Sequence, residues 1–346
     1  MFGSKLAQKM WETTAEKGIG ALLRPWQIRR EGIAQLEVKR KELLVLAQTQ
    51  RDVDDINNGK SIVSLVDMSN PKLISLQNPP PYEFSEKTEP YLDINALTDT
   101  LSNQIISNEL QKEINISKSL LVAESVLSSD QSEPTSEVVE DDWLIRWRDS
   151  AATSSSEKLQ ELWGRVLAGE LKQPGSYSLR TIDFIKNLTQ KEANNIQKLF
   201  SFVCLDRIIK KSNMDDTIFD NKYLNKELSF NFLSEMQSLG IITGVESMGL
   251  SSTFKSNHKD RYFRHFIYND RVMQIENNNP SLILELDVII LTPLGREIKT
   301  LCDVTINSTY INYVIDIIKS KNFNVAIGEL VIDADGNQFS KNNVIV

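Results

Sequence analysis

The sequence predicts a mainly α protein with a C-terminal α+β part, a helical bundle followed by a winged-helix-like domain. Three observations carry that expectation. Apolar residues recur at helical spacing through most of the first two hundred or so positions. A Pro-rich stretch and an acidic stretch interrupt this pattern. The β-prone runs appear beyond Arg261.

The bulk numbers bound the reading. A chain of 346 residues has room for about two or three domains. Hydrophobic content of 40% and charged content of 25% fit a soluble globular protein. A net charge of −8 argues against coating nucleic acid by bulk electrostatics. Cys204 and Cys302 form neither a disulfide framework nor a zinc pattern, and they suit a reducing cytosol. No apolar run reaches the length of a spanning helix. Charges at Lys5, Lys9, Glu12, Glu16 and Lys17 break up any signal-peptide core, and Phe2 stands where a myristoylation signal needs Gly. A cytoplasmic protein is expected.

Residues 1–65 read as a basic helical arm in two pieces. Pro25 suits the first turn of the second piece, which carries Ile33, Leu36, Leu43, Leu44 and Ala47, and Asn57-Asn58-Gly59 suits its end. Residues 1–51 hold about ten Lys and Arg against about five Asp and Glu. Phe2, Trp11, Leu22, Trp26, Arg29 and Arg30 are the candidate contacts to a second copy or to an anionic membrane. Residues 66–94 are a Pro-rich linker that favours extended chain. Residues 95–127 form one long helix without a strict heptad, as in a bundle. Residues 128–142 contain six acids and no base, and read as a flexible linker able to mask the basic arm in cis.

Residues 143–204 read as a compact helical unit. Ser154-Ser-Ser-Glu157 matches a capping box, opening a helix to about Gly169 with Leu159, Leu162, Trp163, Val166 and Leu167 on one face. Ser178 caps the next helix, and Thr189-Gln-Lys-Glu192 is a second capping box. Residues 205–303 change texture. A helix from Ser229 ends at Gly240, two β-prone runs follow over 261–275 and 282–291, and Thr292-Pro293 opens another helix. A helix, a long hairpin and a capped helix are the layout of a winged helix. Residues 304–346 offer one helix and a hairpin turning at Asp335-Gly336.

No constellation names a reaction. His258 and His265 lack the third ligand that a zinc site wants, and Asp333, Asp335 and Asn337 lack the twelfth-position Glu of a calcium loop. No phosphate loop, dinucleotide fingerprint or nucleophile elbow is present. No catalytic residue, metal, cofactor or small-molecule substrate is therefore assigned. Lys255, Lys259, Arg261, Arg264 and Arg271 interleave with aromatic residues and are the candidate nucleic-acid contacts. The helix before them, from Ser229 to Leu239, has no Lys or Arg with which to read bases.

The ordered set Leu159-Gln-Glu-Leu-Trp-Gly-Arg-Val-Leu-Ala-Gly-Glu170, Gly175-Ser-Tyr-Ser-Leu-Arg-Thr-Ile182 and Leu188-Thr-Gln-Lys-Glu-Ala193 resembles the bacterial domain of unknown function 2806. The N-terminal run Gly18-Ile-Gly-Ala-Leu-Leu-Arg-Pro-Trp-Gln-Ile-Arg-Arg30 resembles the start of such proteins. More distantly, the order of parts is similar to the abortive-infection alpha proteins of phage defence. This family transfers no catalytic residues. The resemblance implies a non-enzymatic interaction component of antiviral defence that self-associates through its N-terminal helices. A winged-helix nucleic-acid binder or regulator and a peripheral membrane effector are the alternatives. The expected partner is a protein or a second copy, with nucleic acid and a membrane surface behind it.

Overall fold

A computed structural model describes residues 4–23, 35–64, 72–75, 94–210, 227–245, 250–332 and 338–346. The chain divides into two compact units, Met1–Ile182 and Asp183–Val346. The first contains α1 (Lys5–Glu16), a short 3-10 turn (Ala21–Leu23), α2 (Gln35–Asn57), β1 (Ser61–Ser64), β2 (Lys72–Ser75), α3 (Ile94–Ser128), α4 (Asp141–Ala152) and α5 (Glu157–Lys172). Helix α6 (Leu179–Lys186) crosses the division. The second unit holds α7 (Gln190–Phe200), β3 (Arg207–Lys210), α8 (Phe230–Ser238), β4 (Ile242–Thr243), β5 (Ser251–Lys255), β6 (Tyr262–Tyr268) and β7 (Arg271–Asn277). It continues with β8 (Ile283–Leu291), α9 (Pro293–Leu301), α10 (Ser308–Ser320), β9 (Asn324–Ile332) and β10 (Gln338–Ile345). The chain is thus helical first and an α+β mixture after.

Helix α3 is the spine of the first unit, and α1, α2, α4 and α5 all pack on it. Its buried positions Ile114, Ile116, Leu120, Leu121, Ala123 and Leu127 follow no single heptad, because different helices meet different sides of it. Helix α5 comes closest. A Cβ added at Gly164 would lie 2.6 Å from Val122 and 2.7 Å from the Ser119 carbonyl oxygen, so only glycine lets the two backbones approach this far. Helix α1 buries Leu6, Met10 and Thr14 together with Ala7 and Trp11, the i, i+4 spacing of an apolar face.

Two expectations for this unit change. The stripe read over Ile33, Leu36, Leu43, Leu44 and Ala47 is not the buried one where side chains are described: Leu46, Val53 and Ile56 are buried there, while Ile33 and the side chain of Leu36 lie outside the described residues. The hydrogen bonds Gln50 to Gln111 (3.0 Å) and Ser107 to Asn57 (2.7 Å) set the antiparallel pairing of α2 with α3 and fix which side faces in. The cap of α5 is Ser156, whose hydroxyl accepts from Leu159 N at 3.2 Å, and not Ser154. Ser154 is buried and already engaged. It accepts from the Trp163 indole N–H (2.8 Å) and donates to Ser150 O (2.9 Å). A buried indole needs its acceptor more than an exposed helix end needs a particular serine. The helix also runs past Gly169 to Lys172. The buried Glu170 then accepts from the backbone N–H of Gly175 (2.6 Å) and Tyr177 (3.0 Å), closing the turn that follows.

The Pro-rich stretch lies largely outside the described residues. Within it, Lys72–Ser75 pairs antiparallel with Ser61–Ser64 as a small hairpin. The acidic stretch runs along α1. Lys5 meets Glu133 at 2.7 Å, Lys17 meets Asp141 at 2.6 Å, and Lys9 donates to the carbonyls of Thr135 and Glu137, both at 2.8 Å. Val139 is buried beneath it. Acidic segment and basic helix therefore neutralise one another within the unit. At its start, Lys172 and Ser132 hold the Asp130 carboxyl well below the usual carboxylate range.

In the second unit the Thr189–Glu192 capping box forms at the start of α7. The hydrogen bonds from Thr189 lower the Glu192 pKa. Gly240, at φ +78°, ends the turn after α8, and Thr292 caps α9 with Pro293 in its first turn, each as the sequence implied. The strand pairing differs from expectation. The runs 261–275 and 282–291 do not pair with each other. The first folds on itself as the β6–β7 hairpin around Asn269-Asp270, with Asn269 in the left-handed region at φ +51°. Its β7 pairs with β9, giving an antiparallel sheet in the order β10-β9-β7-β6. The second run, β8, lies between β3 on one side and β4 and β5 on the other. The physical reason is burial. Tyr262 and Phe266 alternate inward along β6 against Phe323 (4.6 Å) and Phe254 (4.9 Å), and that face needs the aliphatic strands around it. The tail's turn at Asp335-Gly336 lies outside the described residues, while β9 and β10 on either side of it pair.

Candidate functional site

The tryptophan-rich stretch that carries the family resemblance is core. Trp143 donates to Tyr177 O (2.7 Å), Trp147 to Trp163 O (2.9 Å) and Trp163 to Ser154, and all three are buried. Beside them runs an amide relay, buried at Asn115 and Gln160 and half-buried at Gln111. Gln111 and Gln160 both donate to Asn115 Oδ1 at 3.1 Å, and Asn115 donates to Ala152 O at 2.8 Å. Side-chain amides paired this way tie α3, α4 and α5 into one register. They leave no reactive group facing solvent.

The basic arm resolves into a docked helix. Trp11 is 8% exposed and its indole N–H donates to Glu124 at 3.1 Å, so it contacts α3 of its own unit. Leu22 is half-buried. Phe2, Trp26, Arg29 and Arg30 lie outside the described residues. Exposed apolar side chains are found on α2, α3 and the paired strands β1 and β2, among other places. Leu44 and Ile105 are each 61% exposed, and Leu43, Leu101, Leu73 and Ile74 are exposed with them.

Four of the five candidate nucleic-acid cations gather at the β5–β6 connection. Lys255 ends β5, Lys259 and Arg261 lie in the loop, and Arg264 is in β6. Arg271 opens β7 at the far end of the hairpin. Six residues of strand, at about 3.4 Å each, put it about 20 Å away. Arg261 lies over the Phe263 ring (5.4 Å to its centroid) and 3.6 Å from Glu276. The guanidinium of Arg264 lies over Phe254 at 5.8 Å and hydrogen-bonds Asn257. His258 and His265 are exposed, and no group of three His, Cys, Asp or Glu among the described residues could hold a metal ion. The positions Asp333, Asp335 and Asn337 lie outside the described residues.

One feature had no counterpart in the sequence reading. A cleft of about 230 Å³ in the second unit is lined by Val203, Leu205, Ile267, Tyr268, Lys299 and Cys302, among others. Leu205 (φ +51°) lies in its lining and is followed by Asp206 (φ +58°), two successive left-handed residues in the tight turn between Cys204 and Arg207. A branched residue in that conformation costs about 1–2 kcal/mol, and no turn dipeptide such as Asn-Gly advertised it. Lys299 holds Asp206 at 3.0 Å and spans the turn. Burial pushes the Cys204 thiol up to about 11, which keeps it protonated and unreactive. Burial also raises Tyr268 and, more strongly, Tyr310, whose hydroxyl accepts from Ile209 N at 2.7 Å.

Fold and surfaces together define an α+β protein whose described helices are all unable to cross a membrane by length and apolarity. Its signature residues are structural. The sequence profile described as "Protein of unknown function (DUF2806)" matches residues 101–315, more than half of the chain, and the protein belongs to that family. Neither a curated protein nor a solved structure matches it.

Proposed function

We propose that this protein is a non-enzymatic interaction component of bacterial antiviral defence, of the abortive-infection kind, and that it self-associates through its N-terminal helices. The observation that carries the self-association is a set of apolar side chains on α2 and α3 that stay exposed among the described residues. Leu43 and Leu44 on α2 and Leu101 and Ile105 on α3 form two apolar patches, and all four side chains are exposed. Fully burying each such side chain contributes about 1.5–3 kcal/mol, which a second copy offering the same patches would supply. The assignment to defence rests on the likeness in the order of parts. The same reading takes residues 205–303 as a winged-helix-like module, on the support of the order of its helices and of the small sheet centred on β8.

Light scattering on the full chain tests self-association. Deleting the arm is a poor test, because it would remove Leu6, Met10 and Trp11 from the core. The pair Leu44→Glu and Ile105→Glu is preferred, since both side chains are exposed. The parent should be a multiple of 39.4 kDa and the variant should approach 39.4 kDa with unchanged helicity. A parent that is monomeric at 50 µM removes the proposal. Plating phage on cells that express the protein reads the defence role, and unchanged plaque counts across a broad phage panel remove that part.

A further inference from the structure

We propose that the β5–β6 loop with the strand residues that flank it, 255–264, is a contact for the phosphate backbone of duplex DNA. The second unit as a whole carries little net charge, but this loop places Lys255, Lys259, Arg261 and Arg264 within ten residues that contain a single acid, Asp260. The nearby carboxylates are that of Glu276, which faces Arg261, and that of Glu285, which accepts from Ser251 at 2.8 Å. Lys255 and Lys259 are exposed and have no ion-pair partner among the described residues.

The loop is held in shape before any partner arrives. The Ser256 hydroxyl sits at its centre, accepting from His258 N and Phe263 N, both at 3.0 Å. It lies within donating distance of the His258 and Arg261 carbonyls, at 2.8 and 2.9 Å. Asn257 N donates to Phe263 O at 2.8 Å and closes the base. A loop fixed by its own hydrogen bonds loses less conformational freedom when it docks. Its cations therefore form a ready-made anion-facing edge.

Duplex is favoured over single strand because the aromatic face is taken. Arg261 already covers the Phe263 ring, so a base has no open platform there. Contact to phosphate is favoured over base reading, since α8 carries no Lys or Arg and the Gln237 amide oxygen already accepts from Val245 N at 2.9 Å. Binding should be weak, independent of sequence and strongly dependent on salt. The inference rests on the second unit alone and stands whether or not the helices self-associate.

Fluorescence anisotropy with a labelled 20-base-pair duplex and the full chain tests it. Three phosphate contacts give a log–log salt slope of about −2.7, so raising NaCl from 50 to 200 mM should weaken binding about 40-fold. The double variant Lys255→Gln, Lys259→Gln changes two exposed side chains and should keep its melting temperature. Its slope should be shallower by about 1.8. No binding at 50 mM NaCl with 50 µM protein overturns the proposal. So does a double variant with the parent's affinity and slope. Equal binding of polyglutamate, lost in the same variant, would assign the loop to an acidic protein partner and overturn it too.

Discussion

Gly164→Ala sets two physical expectations against each other. Helix propensity alone favours alanine by about 1 kcal/mol in a helix interior. The contact between α3 and α5 opposes it. The new Cβ would sit 2.6 Å from Val122 Cβ and Cγ1 and 2.7 Å from the Ser119 carbonyl oxygen, about 0.8 Å inside ordinary contact. Val122 is β-branched and stiff within its helix. The Ser119 carbonyl belongs to the backbone of α3. Neither neighbour can give way locally, so the helices must separate. Overpacking of this kind costs about 1–3 kcal/mol. With a backbone atom involved the upper end applies, and the net loss is about 2 kcal/mol after the propensity gain. For a unit of this size that lowers the melting temperature by about 4–8 °C. Tryptophan fluorescence is the assay, because all five tryptophans precede residue 164 and report only the unit Met1–Ile182. An unchanged or raised melting temperature would refute the close approach of α3 and α5.

Four further outcomes follow from the same geometry. Ser154→Ala strands the buried Trp163 indole N–H and should cost about 1–3 kcal/mol in urea unfolding, more than Ser156→Ala, which loses an exposed cap worth about 1 kcal/mol; the reverse order would restore Ser154 as the cap. In the native protein at pH 8, an alkylating reagent followed by peptide mass analysis should label half-buried Cys302 well before Cys204, whose thiolate is about a thousandth of the total. The folded state keeps protons on Cys204, Tyr268 and Tyr310 that the unfolded chain releases, so stability falls as pH rises above about 9, and a flat profile to pH 11 contradicts their burial. Finally, a Glu-specific protease at low salt should cut the segment 133–140 several-fold faster in the Lys5→Gln, Lys17→Gln variant than in the parent, with the difference gone in 0.5 M NaCl; equal rates at low salt would mean that the ion pairs do not hold it.

Signals that act within a few residues were legible. The long helix α3, the Thr189–Glu192 box, the Gly240 helix end and the Thr292-Pro293 start all rest on neighbours along the chain, and all appear where the residues imply them. So does the family, because its motif is a run of closely spaced core residues. The basic cluster was legible in part. Alternating cations and aromatics named the loop, but Arg271 belongs to the far end of the hairpin, a separation that strand pairing sets.

What only the tertiary structure decided is which of several equivalent local options is used. Three serines before α5 can all cap it, and the buried indole of Trp163 withdraws one of them. Two apolar stripes are available on α2, and its hydrogen bonds to α3 turn Leu46, Val53 and Ile56 inward, leaving Leu43 and Leu44 outside. The run 261–275 can pair with either of two later strands, and β9 takes it while β8 goes to β3, β4 and β5. The acidic stretch has no apolar core to fold around, yet it is ordered by lysines more than a hundred residues before it. By itself, then, the sequence determined the long helix, the capped helix ends and the family, because hydrophobic period and capping chemistry are local. Which faces are buried and which are left for partners depended on contacts between residues far apart in the chain.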